Sequence, residues 1–417
     1  MDFARSDHPA VRKQLDRLAA RPLAGDRLGL ERITILLDRL GRPQDSIPPV
    51  FHVAGTNGKG STCAFLRAGI EAAGHKVHVF TSPHLVRFNE RIRLAGRLID
   101  NDALAALLDE VLTLSEDVSF FEATTAAAFL AFARTPADAC VIEVGLGGRL
   151  DATNVVPAPV STGIASLGID HQAWLGTRLV DIAAEKAGIA KPGTPLVTQL
   201  YPQHVAARIA EIAHDARAPW LPRGGLWDAT VMKGRLHYHD EQGELVLPLP
   251  RLPGRHQALN AGLAIAMLRH QRHLTIPPSA LSAAMGWADW PARLQHLADG
   301  PLTLGKDIWL DGAHNPAAAR ALALALHHKP RHLILGILSN KDAVAIVETL
   351  RPHALSLTFV AVPDHESHDP DVLAAAHAGR AAASLEAALA PLDGPILIAG
   401  SLYLAGAVLA ANRQAPD

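Results

Sequence analysis

One stretch constrains the fold more than any other. A short apolar run, Val50–Ala54, leads straight into Gly55-Thr56-Asn57-Gly58-Lys59-Gly60-Ser61-Thr62, and a helical pattern follows over Thr62–Ala73. Glycines let backbone N–H groups turn inward around phosphate oxygens, and the start of a helix adds a favourable dipole. A lysine in such a turn reaches the outer phosphates of a nucleotide. The spacing departs from the common G-x-x-x-x-G-K-[ST] loop: Gly60 separates Lys59 from Ser61, and Gly55 stands three residues ahead of Gly58. A tight glycine turn without a ligand is the competing reading of the same residues.

The rest of the chain repeats the same strand–helix rhythm. Further strand candidates are Lys76–Phe80, Ala139–Val144, Val160–Ala165 and Pro195–Thr198, with helical patterns at Asp102–Leu114 and Thr124–Arg134. Such alternation predicts a parallel sheet covered by helices on both faces, an α/β fold. Gly224–Pro250 breaks the rhythm and reads as a small hairpin, with a helix near Asn260–Arg269 after it. Strand candidates resume at Asp307–Leu310, His332–Ile337, Leu355–Val362 and Pro395–Ala399. The Trp-, Pro- and Gly-rich stretch Met285–Pro301 is the linker candidate, and the Ala-rich tract Ala374–Ala390 reads as ordinary helix.

Composition narrows the function classes. The chain has 417 residues, 49% of them hydrophobic, enough for two or three cores. With 39 basic and 41 acidic side chains, its formal charge of −2 gives no electrostatic reason to expect nucleic acid or a membrane surface as partner. Two cysteines, Cys63 and Cys140, argue against a disulfide framework and fit a reducing compartment, so a cytoplasmic location is expected. No signal peptide is read at Met1–Ala20, and no run of about 18 uncharged apolar residues suggests a membrane span.

Several further segments accompany the loop in order: Thr81-Ser82-Pro83-His84-Leu85, Arg87–Arg93, Glu143–Asn154, Gly168-Ile169-Asp170-His171, Glu185–Ile189 and Asp311-Gly312-Ala313-His314-Asn315-Pro316. Together they resemble the bacterial dihydrofolate synthase/folylpolyglutamate synthase family of the Mur ligase superfamily, from about Leu28 to about Leu404. The resemblance implies a Mur-ligase-like α/β fold. A phosphate-loop ATPase domain with a mostly parallel sheet would occupy 1–295, and a smaller Rossmann-like domain 296–417, with the active site between them. It implies an ATP-dependent ligase that adds L-glutamate to dihydropteroate and to reduced folates through an acyl phosphate, and a monomer.

The resemblance also assigns roles. Thr56, Asn57, Gly58, Lys59, Gly60 and Ser61 would hold ATP, helped by Asn260, Arg293 and Asp311. Ser82, Glu143 and His171 would bind Mg²⁺, of which two ions are expected. Imidazole is an unusual ligand for so hard a cation, and taken alone His171 reads as a core or general-base histidine. Lys186, which by composition is a solvated helix lysine, would instead be carboxylated by CO₂ and serve the second metal, which requires an uncharged amine. His314 would sit near the phosphate or the incoming glutamate, although Asp311 and His314 could each be turn or cap residues.

For the pterin the resemblance points to Arg27-Leu28-Gly29, Ser119-Phe120-Phe121-Glu122 and Leu150-Asp151-Ala152. Phe120 and Phe121 could stack on a flat heterocycle or simply pack, and Asp151 could meet ring nitrogens or cap a helix. Bifunctional bacterial members carry an acidic residue where Arg27 stands; Asp26 is adjacent. The alternatives are a monofunctional folylpolyglutamate synthase, a peptidoglycan-precursor ligase, and a nucleotide switch without ligase activity. The peptidoglycan reading would need a UDP-sugar domain ahead of Gly55. The switch reading would predict loss of Lys59 or Glu143, and both are present.

Overall fold

The structure is a computed structural model that describes residues 6–20, 28–115, 117–326 and 329–417. Its first sheet holds β1 (Val50–Ala54), β2 (Val77–Phe80), β3 (Ile92–Leu94), β4 (Arg97–Leu98), β5 (Ala139–Glu143), β6 (Ser161–Ile164), β7 (Leu196–Thr198) and β8 (Trp220–Pro222). The spatial order is β4-β3-β2-β5-β1-β6-β7-β8, parallel from β2 to β8 and antiparallel at the β3–β4 edge. β1 runs down the middle and is buried at every residue, as its unbroken apolar pattern requires. Phe51 and Val53 enter one core with Phe65 and Met267, while Val50 enters another with Phe80, Cys140 and Phe129. The helix Lys59–Ala72 lies against the sheet and against the helices Arg255–Arg269 and Pro278–Trp287.

Helix Phe120–Arg134 begins four residues before the expected Thr124. The cause is a capping box: Ser119 Oγ accepts from Glu122 N at 3.2 Å, and Glu122 Oε2 accepts from Ser119 N at 2.7 Å. Two orphan donors of the first turn are thereby satisfied, worth about 1 kcal/mol. The segment 227–247 is a three-stranded sheet, not a hairpin: β9 (Trp227–Met232), β10 (Arg235–Asp240) and β11 (Gly243–Leu247) pair in antiparallel order. Its inner face buries Trp227, Leu236 and Tyr238 in the same core as Phe65.

A second sheet holds β12 (Gln295–His296), β13 (Ile308–Leu310), β14 (Arg331–Leu335), β15 (Ala354–Phe359), β16 (Arg380–Ala381) and β17 (Ile396–Ala399), in the order β12-β13-β17-β14-β15-β16. All neighbours are parallel except β12–β13. The expected linker is thus partly structured, because Met285–Trp287 belong to the helix Pro278–Trp287 and Gln295 opens β12. The Ala-rich tract is broken as well. Its first helix, Pro370–His377, stops at a left-handed Ala378 (φ 53°), β16 follows, and a short helix Leu385–Leu389 comes after. The two sheets touch at loops leaving the C-terminal ends of their parallel strands, where Asn57 meets Asn315 and Asp170 meets Lys341. Leu85 and Val86, from the loop after β2, pack into the core of the second sheet.

Candidate functional site

The loop Gly55–Gly58 follows the C-terminal end of β1. Thr56 N and Asn57 N both donate to Ser166 O, at 2.8 and 3.1 Å, and Thr56 Oγ1 donates to Gly168 O at 3.0 Å. These bonds tie the turn to the loop after β6. Gly58 is left-handed (φ 84°), and a Cβ there would stand 2.4 Å from Asn260 Oδ1, so this turn admits no side chain. The Ser61 hydroxyl is buried in the first helical turn without a hydrogen-bond partner in the structure. A polar group so placed is an available contact for a phosphate oxygen or its cation.

Glu143 closes β5 beside this loop. Its Oε2 accepts from Ser82 N at 3.1 Å and its Oε1 lies 3.8 Å from Lys59 Nζ. Burial pushes the carboxyl above its ordinary range, opposed by Lys59 and by the Ser82 N–H. An ionised carboxylate in that setting gains most from a further cation. Among the described residues no group of three or more His, Cys, Asp or Glu side chains forms a ready-made metal cage. The donor set therefore suits a cation such as Mg²⁺ that keeps waters and shares phosphate oxygens, with Glu143 as its anionic anchor and Ser82 beside it. His171 adopts a left-handed backbone (φ 51°) that turns it onto the same depression as Lys59, Asp170 and Lys186. Withdrawal from bulk water and the neighbouring Lys341, Lys59 and Lys186 pull its imidazole down to about 4, against Asp170, so a neutral ring is present at pH 7.

Lys186 is buried, on the helix Leu179–Ala187. Burial first, then the charge of Lys59, lowers its amine to about 7. The expectation of a solvated lysine from composition is corrected here. Gly148 makes room for this helix: a Cβ on it would stand 2.7 Å from Glu185 O and 3.0 Å from Lys186 Cα.

In the loop after β6, Asp170 collects partners from the second sheet's loops, a network that the sequence did not announce. Lys341 Nζ lies 2.5 Å from Asp170 Oδ1, His314 Nε2 lies 3.6 Å from Oδ2, and Asn315 Nδ2 donates to Oδ2 at 3.1 Å. Asn315 and Asn57 exchange side-chain hydrogen bonds at 3.0 and 3.2 Å. Burial alone would raise Asp170, but the His314 hydrogen bond and the charges of Lys341 and His171 outweigh it and hold the carboxyl well below its usual range. The only sequence signal for Lys341 was its place in Ser339-Asn340-Lys341-Asp342, after β14 and before a helix capped by Asp342.

The remaining candidates divide. Asn260 Nδ2 donates to Gln257 Oε1 at 3.0 Å on the helix that faces Gly58. Asp311 accepts from Leu294 N and Ala313 N, both at 2.8 Å, so its carboxylate fixes the turn and the linker. The Arg293 charge favours the ionised forms of both Glu143 and Asp311, against the burial that raises each. Phe120 packs edge-on to Phe88 at 5.8 Å with the Arg91 guanidinium over it, and Phe121 lies against Phe80 and over Gly145. Both rings are half-buried and committed to packing on one side. Glu122 is occupied by the Ser119 cap and by Arg32 Nε at 3.2 Å. Asp151 receives Leu146 N at 2.8 Å and Thr153 N at 3.0 Å, so it shapes the loop Gly145–Ala152 and caps the turn Ala152–Val155. Ala152 is buried and Leu150 half-buried in that loop. Leu28 and Gly29 are half-buried ahead of the helix Glu31–Arg39, and Arg27 lies outside the described residues.

Fold and site together define a Mur-ligase-like protein, in which a phosphate-loop sheet is joined to a smaller Rossmann-like sheet. No protein-family model matches the sequence. The folylpolyglutamate synthase of Lacticaseibacillus casei is 36% identical over 407 residues, covering 90% of this chain and 92% of that protein. The dihydrofolate synthase/folylpolyglutamate synthase of Bacillus subtilis is 38% identical, covering 80% of this chain and 81% of that protein. The structure of E. coli FolC in complex with DHPP and ADP superposes with a TM-score of 0.88 at 31% identity, covering 97% of each chain. A bifunctional folylpolyglutamate synthase/dihydrofolate synthase with Mn, AMPPNP and L-glutamate bound gives 0.85 at 29% identity, covering 98% of this chain and 99% of that one. The chain belongs to the dihydrofolate synthase/folylpolyglutamate synthase family.

Proposed function

We propose that this protein is an ATP-dependent ligase that joins L-glutamate to dihydropteroate and to reduced folates. The observation that carries the reading is the convergence of Lys59, Asp170, His171 and Lys186 around one depression at the phosphate loop, with Glu143 Oε1 3.8 Å from Lys59 Nζ. Lys59 and the loop N–H groups would cradle the ATP phosphates, with Arg293 reaching the same charge from the linker. Mg²⁺ held through Glu143, Ser82 and His171 would supply neutralisation of the charge that develops on the transferred phosphoryl group. The substrate carboxylate attacks the γ-phosphorus, ADP leaves, and the acyl phosphate so formed is attacked by the glutamate amine, releasing phosphate and the amide. His314, whose Nδ1 lies 2.9 Å from Gly312 O, would stand at the second sheet's edge of that reaction.

The low pKa of Lys186 supports a carboxylated side chain, since CO₂ combines only with a neutral amine. The resulting carbamate would add an oxygen-donor anion opposite Glu143. The change of sheet at Gln295 supports a division into an ATP-binding domain, 1–295, and a glutamate-ligase domain, 296–417. We assign Leu28-Gly29, Phe120-Phe121 and Leu150–Ala152 to the pterin wall. There Asp151 acts by shaping its loop rather than through a free carboxylate. A monomer acting in the cytoplasm fits two free, buried cysteines. No described helix is long and apolar enough to cross a membrane. The test is ADP release with each acceptor. Turnover with tetrahydrofolate but not dihydropteroate would restrict the protein to polyglutamate synthesis.

A further inference from the structure

The extra glycine of the phosphate loop has a partner. Gly60 is buried as the second residue of the helix Lys59–Ala72, where glycine costs about 1 kcal/mol relative to alanine. A Cβ on Gly60 would stand 2.5 Å from Trp290 Cζ2, 2.6 Å from Cε2 and 2.8 Å from Nε1. The indole of Trp290 therefore rests on the backbone of the nucleotide loop itself, half-buried against the core beneath.

Trp290 opens the short segment that carries Arg293. Ala292 and Leu294, on either side of Arg293, both have left-handed backbones (φ 57° and 45°). Such a conformation costs a non-glycine residue on the order of 1 kcal/mol and persists only where the surroundings over-determine it. Here Ala292 N donates to Gln295 Oε1 at 2.9 Å, Ala292 O accepts from Gly312 N at 2.8 Å, and Leu294 N donates to Asp311 Oδ2 at 2.8 Å. Gly312 also leaves space for the guanidinium: a Cβ there would lie 3.0 Å from Arg293 Nη1. The segment is a strained clip, seated at one end on the phosphate loop and pinned at the other to the turn after β13.

We propose that Trp290 is a positioning residue for phosphoryl transfer: packed on Gly60, it registers the clip against the nucleotide loop and so aims Arg293 at the phosphates. Gly60 stands between Lys59 and Ser61 because the indole occupies the space a side chain would take. This inference rests on the ligase reading above.

The test is a set of variants compared for ligase turnover and for binding of ADP with Mg²⁺ by calorimetry, with thermal melting as the check on folding. Gly60→Ala should weaken ADP about tenfold, and Trp290→Phe in the same chain should recover most of that loss because the smaller ring leaves room. Trp290→Ala should lower kcat about tenfold with the acceptor KM changed less than about twofold. In an Arg293→Ala background, Trp290→Ala should cost nothing more, because its effect runs through that arginine. The proposal is overturned if the Trp290 and Arg293 losses multiply, or if Gly60→Ala binds ADP as the unaltered protein does. If the unaltered protein shows no ligase turnover, the functional reading alone fails, and the ADP comparison of Gly60→Ala with its Trp290→Phe partner still decides the contact.

Discussion

Replacing Lys186 by Met should stabilise the fold while abolishing activity. Lys186 is buried, and its amine sits at about 7 instead of the ordinary 10.5. The folded state therefore binds the proton less tightly than the unfolded chain does. The cost of burying the charge is fully present below about pH 7, shrinks as pH rises, and is gone above about 10.5. At ~1.4 kcal/mol per tenfold difference in proton affinity, that cost is on the order of 5 kcal/mol at pH 6. Met fills a similar volume without the charge. Denaturant unfolding of the parent and of Lys186→Met, from pH 6 to 10 in CO₂-free buffer, isolates the difference owed to this side chain. Lys186→Met should be the more stable protein by several kcal/mol at pH 6, and the gap should close toward pH 10. A gap that is absent at pH 6, or independent of pH, would refute the claim that Lys186 is held neutral by burial. Supplying ¹³C-labelled bicarbonate to the parent at pH 8 should add a carbamate resonance that Lys186→Met lacks.

Three other outcomes follow from the site. Glu143→Gln should lower kcat at least a hundredfold by removing the anionic anchor for the cation, without lowering the melting temperature of the nucleotide-free protein, because burial already disfavours the charged form. Lys341→Ala should destabilise the protein by about 3 kcal/mol, since it leaves Asp170 buried without its closest cation; calorimetric melting measures this. Asp170 is held below its ordinary 3.8, so its contribution to stability is present above about pH 4 and lost as pH falls further. Asp170→Asn should accordingly flatten the acid limb of the stability profile below pH 4.

The parts of this protein legible from sequence were those whose signal is local. An unbroken apolar run ending at a glycine turn located β1 and the phosphate loop, because a central parallel strand is buried on both faces and must read that way. The helix carrying Phe120 starts earlier than its apolar pattern because Ser119 and Glu122 form a capping box. What sequence could not supply was partnership across distance. Lys341 is one lysine among many until the fold sets it on Asp170, 171 residues away. Lys186 reads as a surface residue until Gly148 brings its helix in close. Asp151 and Glu122 are the right residue types for contacting a ligand, yet their oxygens are committed to backbone N–H groups and Arg32. The extra Gly60 of the phosphate loop departs from the common spacing, and its contact with Trp290, 230 residues on, is invisible in the sequence.

The most direct test of the central claim is ADP release by the purified protein with Mg²⁺, ATP and L-glutamate, comparing dihydropteroate with tetrahydrofolate as acceptor. The account predicts ADP formation with each acceptor, dependent on glutamate and lost in Glu143→Gln. ATP consumption that ignores both acceptors, or no consumption with either, would contradict it.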